Sequence, residues 1–180
     1  MNHETYSHRY ADIILNADYE IKREIEEVIK EIKMGAVEER YFKENDARVK
    51  KSAKPAMGKQ ATINLMFKEA FVNRGWEFEK NVFNDPGNDL AIDFWKRSVG
   101  VDIAFNHRSF IGGDLLRLQA GAEVKNMIIM GVYVCPTKEF AKIVSPKDAS
   151  SMVSYERARW YLENFYSVLT VPILLLGLSQ

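Results

Sequence analysis

Two aspartates occupy neighbouring positions of a predicted β-hairpin in the middle of the chain. The segment LAIDFWKRSVGVDIAFNHRSF (residues 90–110) has two apolar stretches around a short turn, and each stretch carries one acid, Asp93 or Asp102. If Arg97 and Ser98 form a two-residue turn, Asp93 lies opposite Asp102. Opposed residues share a sheet face, with Cβ atoms about 4.5–5.5 Å apart. Arg97-Ser98 is not a favoured pair for such a turn, so this register is a hypothesis.

Alternation along the hairpin predicts that the acids and the large apolar side chains point to opposite faces. The predicted core face carries Ile92, Phe94, Val101, Ile103 and Phe105. The other face carries Ala91, Asp93, Asp102 and Ala104. Two opposed carboxylates repel each other unless a cation compensates them. One candidate is Mg²⁺, which takes one or two carboxylates and completes its shell with water and substrate phosphate. An Arg or Lys from elsewhere is a second, and solvation near a strand end is a third.

The composition is typical of a globular protein with one domain over residues 1–180. Hydrophobic residues make up 47% of the chain and aromatic residues 12%. Lys+Arg and Asp+Glu both total 25, which argues against a strongly cationic coat protein but not against a specific DNA binder. Cys135 is the only cysteine, and the three histidines lack the spacing of a zinc site. Without a signal pattern or an apolar run of ~20 residues, we expect a cytoplasmic protein and no membrane.

Periodicity predicts a mixed α/β or α+β domain whose sheet is covered by helices. The predicted elements are a helix over 18–34 that ends at Gly35, an irregular basic segment at 43–59, a helix at 60–74, a turn at 84–89, the hairpin, a helix at 112–122, a strand at 127–134, a short helix within 137–150, a helix at 154–167 and a closing strand at 171–178.

The segment KENDARVKKSAKPAMGK (43–59) is the most cationic part of the chain. It carries Lys50, Lys51, Lys54 and Lys59. Two interpretations are open. It is a solvated loop, or it contacts phosphates, because lysines that neutralise phosphates supply affinity without sequence preference.

The hairpin resembles the metal-binding core of the PD-(D/E)XK nucleases, and more narrowly the type II restriction endonucleases of the BglII and BstYI kind. That group shows an I-D-F segment, a basic turn, and then V-E-V-Q-F or V-E-V-E-W. This chain has Ile-Asp-Phe at 92–94, Lys-Arg at 96–97 and Val-Asp-Ile-Ala-Phe at 101–105. Further blocks agree in order, namely Tyr-Ser-His at 6–8, Gly-Lys-Gln at 58–60, two serines at 150–151, Ser-Tyr-Glu at 154–156 and Val-Pro-Ile through Gly at 171–177. Each block alone is weak, and their common order carries the resemblance.

The resemblance implies a restriction-endonuclease-like core with a central mixed β-sheet flanked by helices. It implies a homodimer that binds double-stranded DNA and hydrolyses one phosphodiester per strand at a short palindrome. The implied cofactor is Mg²⁺, with Mn²⁺ as a substitute, held by Asp93 and Asp102 and assisting the attack of water on phosphorus. By analogy, Gln60 supports the metal site or the adjacent phosphate.

The resemblance also implies which side chains contact DNA. Carried over by position, they are Asn106, His107, Ser150 and Ser151, with Arg108 as a further candidate and Lys59 from the basic segment. Asn suits adenine, Arg or His suits guanine, and Ser suits several base edges. Without the family, Asn106 and His107 would simply be a turn after a strand, and the serines would belong to a helix N-cap.

Ala104 departs from the family pattern. The family has Gln or Glu two residues after the second acid, and wider relatives have Lys, which orients the attacking water or contacts the metal. Ala104 can do neither, and Asp102 is one methylene shorter than the usual Glu. Three alternatives follow: an engineered inactive variant, a natural protein in which Lys59 or Lys125 takes the role, and a degenerate member that binds without cutting.

The sequence favours a site-specific DNA endonuclease of a restriction–modification system. The alternatives are a catalytically silent DNA-binding protein on the same fold and a repair or RNA nuclease of the same superfamily. Glu123-Val-Lys125 also spells E-x-K, but it precedes a strand, and a surface ion pair explains it as well. A small-molecule enzyme is disfavoured, because there is no glycine-rich phosphate loop and no nucleophile–base pair.

Overall fold

The structure is a computed structural model that describes residues 1–83, 87 and 90–180. The strands are β1 (Asn2–His8), β2 (Glu77–Asn81), β3 (Ala91–Lys96), β4 (Val99–Ile103), β5 (Met130–Pro136) and β6 (Ile173–Ser179). The helices are α1 (Ala11–Ala17), α2 (Tyr19–Glu31), α3 (Met34–Lys50), α4 (Gln60–Val72), α5 (Ile111–Gln119), α6 (Lys138–Val144) and α7 (Tyr155–Asn164). Short 3₁₀ turns lie at Arg108–Phe110 and Ala149–Ser151.

The six strands form one mixed sheet in the order β1-β6-β5-β4-β3-β2. The central strands β4, β5 and β6 run parallel to one another. The outer strands pair antiparallel, β1 with β6 on one side and β2 and β3 on the other. Parallel strands need helices on both faces because the connections that join them cross those faces. The predicted α/β fold with a central mixed sheet flanked by helices is confirmed.

Helices cover both faces of the sheet, and the side chains of β5 alternate between them. Val132 and Val134 pack in the cluster formed with α1–α4 and α6. Tyr133 and Cys135 pack in the opposite cluster with α5 and α7. This double burial explains why β5 reads as a continuous apolar run rather than an alternating one.

Two predicted features of the first half are wrong. Gly35 does not end the first predicted helix. Instead α2 ends at Glu31 and Gly35 lies inside α3. The predicted irregular segment at 43–59 is helical up to Lys50, because Glu, Arg, Lys and Ala are good helix formers even without an apolar face. Only 51–59 connects α3 to α4 outside a helix.

The strands β1 and β2 and the helix α1 were not predicted from the sequence. Both strands lie at the edges of the sheet and carry polar side chains, which removes the apolar signal of a strand. The predicted turn at 84–89 lies outside the described residues, except for Gly87. Among the described helices, none is long and apolar enough to span a membrane.

Candidate active site

The hairpin of β3 and β4 has the predicted register. Phe94 pairs with Val101, Trp95 with Gly100 and Lys96 with Val99. Arg97 and Ser98 both have positive φ, 48° and 63°, as the two central residues of a type I′ turn require. Ion pairs hold this strained turn, since the Arg97 guanidinium lies 2.7 Å from Glu20 and 3.5 Å from Asp18.

The two aspartates lie just beyond the last backbone-paired residues of this hairpin. There, hydrogen bonds from backbone N–H groups to the aspartate side chains connect the two strands. The backbone N–H of Asp93 donates to Asp102 Oδ1 at 3.0 Å. The backbone N–H of Ile103 donates to Asp93 Oδ2 at 2.8 Å. Each carboxylate therefore satisfies a backbone donor of the neighbouring strand and is fixed in position by it.

One predicted face assignment in the hairpin is wrong. Ile92 does not share the cluster of Phe94 but packs in the opposite one. There it lies over Gly100 and Gly121, where added Cβ atoms would come within 3.1 and 3.0 Å of it. At this point the pairing of β3 with β4 ends, and Glu79, which lies opposite Asp93 on β2, has a positive φ of 52°, so the backbone departs from the regular strand geometry on which strict alternation depends.

A cation from α5 lies beside the second aspartate. Arg117 Nε donates to Asp102 Oδ2 at 3.1 Å, and Arg117 Nη2 donates to Asp114 Oδ1 at 2.7 Å. Asp114 also accepts a hydrogen bond from the buried Tyr133 hydroxyl at 2.8 Å. Of the cations considered from the sequence, an arginine from elsewhere in the chain is thus present, and it contacts Asp102 directly.

The single guanidinium does not compensate all the buried acids. Burial and, after it, the charge of the neighbouring Asp93 together raise the pKa of Asp102 to about 8, against the opposing effect of Arg117. Burial likewise raises the pKa of Asp93. Three ionised carboxylates (Asp93, Asp102 and Asp114) beside one arginine would leave an excess negative charge inside the protein. The cluster either holds a proton or takes up a further cation.

These acids line a cleft of about 520 Å³ at the end of the sheet. The polar side chains of its wall are Asn64, Lys68, Glu79, Asp93, Asp102, Asn106, Asp114 and Arg117. Glu79 comes from β2, where the register places it opposite Asp93, between the pairs Phe78–Phe94 and Lys80–Ile92. Lys68 comes from α4, with Nζ 3.6 Å from the centre of the Phe78 ring.

A divalent ion fits the donors of this cleft. In residues 1–83, 87 and 90–180, no three or more His, Cys, Asp or Glu side chains are grouped so that they could hold a metal ion together. Mg²⁺ does not need such a group, because it keeps several waters and uses one or two carboxylates. Asp93 reaches the cleft beside Glu79, and the excess negative charge of the cluster is the charge that a divalent ion would neutralise.

The third position of the family pattern lies at the cleft but offers no polar group. Ala104 is buried, lines the cleft, and donates its backbone N–H to Val134 O at 2.8 Å. The two lysines suggested as replacements lie elsewhere. Lys59 Nζ contacts Ile143 O at 2.9 Å and Glu38 at 3.4 Å. Lys125 lies over the Phe83 ring. Among the described residues, Lys68 is the lysine whose side chain lines the cleft.

Three of the six side chains predicted to contact DNA line a second depression next to the cleft, and Gln60 joins them there. Gln60, Asn106, His107 and Ser151 line it, together with Phe105, Asp148 and Met152. An isolated bridge between His107 and Met152 joins the end of the hairpin to the serine loop. Asn106 lines both the cleft and this depression. Gln60 is therefore grouped with the predicted base-contacting residues and not with the acids.

The remaining predicted DNA-contacting residues lie at the margin of this depression or away from it. Arg108 Nη1 donates to Ser150 O at 3.4 Å, so the two lie together. Lys59 begins the turn into α4 but directs its ammonium to α6 and Glu38. Ser154, just after the serine pair, caps α7 by accepting from the Arg157 N–H.

Four charged residues of the cleft were not predicted from the sequence, namely Lys68, Glu79, Asp114 and Arg117. A signal existed for the last two. Asp114 and Arg117 are three residues apart and flank the buried Leu115 and Leu118, so an acid and a base lie on or beside the inward face of α5. Glu79 and Lys68 had no such signal, because an unpredicted edge strand and an exposed helix face carry them.

A mixed sheet with paired acids on a β-hairpin, beside a polar depression, is the arrangement that the sequence resemblance implied. The model of the family "Restriction endonuclease BglII/BglIII" matches residues 3–178. The chain belongs to this family of restriction endonucleases.

Solved structures support the fold. The crystal structure of restriction endonuclease BglII complexed with a DNA 16-mer matches with a TM-score of 0.73 and 20% sequence identity, over 100% of this chain and 79% of that chain. At that identity the likeness shows the fold alone. Among curated protein sequences, none matches this chain.

Proposed function

We propose that this protein is a metal-dependent, site-specific endonuclease of double-stranded DNA. The observation that carries the proposal is the juxtaposition of the Asp93–Asp102 cleft with the depression of Gln60, Asn106, His107 and Ser151. Asn106 lines both, so a duplex whose bases are read at the depression brings its backbone to the acids. The family membership supports the same conclusion.

The roles follow from the chemistry of each group. Asp93 and Asp102, with Glu79 beside them, would hold Mg²⁺ or Mn²⁺. The bound metal would activate a water and offset the charge that develops on the phosphoryl oxygens. Lys68 replaces the group that Ala104 lacks, and its ammonium orients the scissile phosphate or the attacking water. Arg117 keeps Asp102 oriented through the bond of 3.1 Å.

The base-contacting surface combines an amide, an imidazole and hydroxyls. Asn106 and Gln60 suit adenine, His107 suits guanine N7 or O6, and Ser151 adapts to several base edges. Arg108 and Ser150 lie at its margin. The protein acts as a homodimer on a short palindrome, because a two-fold protein matches a two-fold site. It functions in the cytoplasm, as one domain, as part of a restriction–modification system.

The test is cleavage of mixed unmethylated duplex DNA in Mg²⁺ and then Mn²⁺ by three proteins, namely the wild type, Ala104→Gln and Lys68→Met. We expect discrete fragments from the wild type and from Ala104→Gln, and none from Lys68→Met. Fragments from Lys68→Met at the wild-type rate would remove Lys68 from the reaction. Random degradation by the wild type would favour a repair-type nuclease.

A second candidate is a catalytically silent DNA-binding protein on the same fold. Two observations favour it: Ala104 stands in the third position, and Arg117 already contacts one oxygen of Asp102. In that case the Arg117 guanidinium compensates the charge of Asp102, which in an active enzyme a bound metal would compensate. Tight binding of one palindrome with no cleavage by the wild type, in either metal, identifies this function.

A further inference from the structure

Three depressions adjoin along one surface of the protein. The acid cleft and the depression around Gln60 share Asn106. That depression and a third one, of about 380 Å³, share Met152. We call the third one the basic depression. Its charged and hydroxyl side chains are Lys138, Lys142, Lys147, Ser150, Ser154 and Arg157. The surface thus leads from the acid cleft, through a depression of amide, imidazole and hydroxyl groups with one acid, Asp148, to the basic depression.

Three cations of the basic depression have no acid partner among the described residues. Lys142 pairs with Glu139 at 2.7 Å, but Lys138, Lys147 and Arg157 form no such pair. The nearby Glu156 carboxylate accepts hydrogen bonds from the backbone N–H of Lys138, at 3.1 and 3.2 Å. It is thus tied to the main chain.

The lysines of α2 behave differently. On α2, Lys22 and Lys30 both pair with Glu26, and none of the three depressions is lined by α2. In a protein with zero net charge, unpaired cations around one concavity repel each other unless an anion joins them. The arrangement is therefore suited to a polyanion that already occupies the neighbouring depression.

We propose that the basic depression binds backbone phosphates of duplex DNA, beyond the phosphates that reach the acid cleft. The inference rests on the proposed function and deepens it, since it assigns a second contact surface for the same DNA. This surface supplies affinity and orientation, while the depression around Gln60 reads sequence. It lies at α6 and α7, in a different part of the chain from the lysine-rich segment at 43–59, for which contact with phosphates stays a separate prediction.

The expected effect is a change in salt dependence. The logarithm of the binding constant falls with the logarithm of salt concentration by about 0.9 per neutralised phosphate. Loss of three contacts reduces this slope by about 2.7. Between about 50 and 200 mM salt, a fourfold change, the wild type should lose about 40-fold more affinity than a variant without these cations.

The experiment compares two triple variants with the wild type, by fluorescence anisotropy with labelled duplex DNA in EDTA. The test variant is Lys138→Gln, Lys147→Gln and Arg157→Gln. The control is Lys22→Gln, Lys30→Gln and Lys33→Gln, which removes the same charge from α2 and from the residue just before α3. We expect the slope to fall by about 2.7 in the test variant and by less than about 1 in the control.

The outcomes separate this inference from the proposed function. If the wild type binds duplex DNA and all three proteins show the same salt-dependence slope, the basic depression does not bind phosphates. The proposed endonuclease function is not affected by that result. Equal slope losses in both triple variants also overturn the proposed phosphate binding, because the effect is then one of net charge. No wild-type binding of duplex DNA at all removes the proposed function and this inference with it.

Discussion

Replacing Arg117 with methionine tests the charge balance of the active site. Arg117 makes two charge-assisted hydrogen bonds, at 3.1 Å to Asp102 and 2.7 Å to Asp114, and its side chain is only 19% exposed. Bonds of this kind are worth about 1.5–3 kcal/mol each, and protonation of Asp102 in the variant offsets part of the loss. We expect Arg117→Met to lower the free energy of unfolding by about 3 kcal/mol at neutral pH in EDTA.

The assay is urea unfolding followed by circular dichroism, with Arg159→Met as the matched control. Arg159 contacts Glu163 at 2.7 Å, as close as Arg117 is to Asp114, but its side chain is 49% exposed. Exposed pairs contribute about 0–1 kcal/mol, so the two variants differ mainly in burial. If Arg117→Met loses no more stability than Arg159→Met, the Arg117 guanidinium does not compensate the buried carboxylates of Asp102 and Asp114.

Metal provides the second arm of the same experiment. Without Arg117, Asp102 and Asp114 lose the guanidinium that contacts them, so a divalent ion has more negative charge to neutralise. Since a ligand that binds only the folded state stabilises it, Mg²⁺ should raise the unfolding free energy of Arg117→Met more than that of the wild type. An equal or smaller increase would mean that Arg117 and the metal do not act on the same charge.

Two further predictions concern titration and base contact. Because burial and the charge of Asp93 raise the pKa of Asp102 to about 8, the folded protein binds more protons than the unfolded chain between about pH 4 and 8. The free energy of unfolding in EDTA should therefore fall as pH rises through this window. Urea unfolding of Asp102→Asn should show a weaker dependence of this free energy on pH than the wild type. The same pH dependence in both proteins would contradict a raised pKa at Asp102. Asn106→Ala should reduce discrimination between the preferred palindrome and scrambled duplex by about 1–3 kcal/mol, while affinity for scrambled DNA stays the same; an equal loss on both would make Asn106 a backbone contact.

The position of both aspartates followed from local sequence because a hairpin is a local structure. A two-residue turn at Arg97 and Ser98 fixes the register, and a period of two brings Asp93 and Asp102 together. The helix α2 and the strands β5 and β6 could also be predicted from the sequence. The buried residues of α2 follow the helical period, and β5 and β6 are continuous apolar runs because both of their faces are buried.

The rest of the site depends on contacts between distant segments. Arg117 reaches Asp102 from a helix 15 residues further along the chain, and Glu79 reaches the cleft from a polar edge strand. The amino-acid sequence alone therefore does not indicate which cation will lie beside a buried acid. Gln60 shows the same limit, because its helix was predicted correctly but the depression it lines forms only when the hairpin meets the serine loop.

The most direct test of the central claim is cleavage by the wild type and by Asp93→Asn of a duplex that both proteins bind equally well. Asp93 is the aspartate that contacts no arginine and reaches the cleft beside Glu79. A metal contributes several kcal/mol to such a reaction. In Mg²⁺ or Mn²⁺ we predict discrete fragments from the wild type, a rate at least about 100-fold lower for Asp93→Asn, and none from either in EDTA. Equal cleavage by both proteins, or cleavage in EDTA, would contradict an active site built on Asp93.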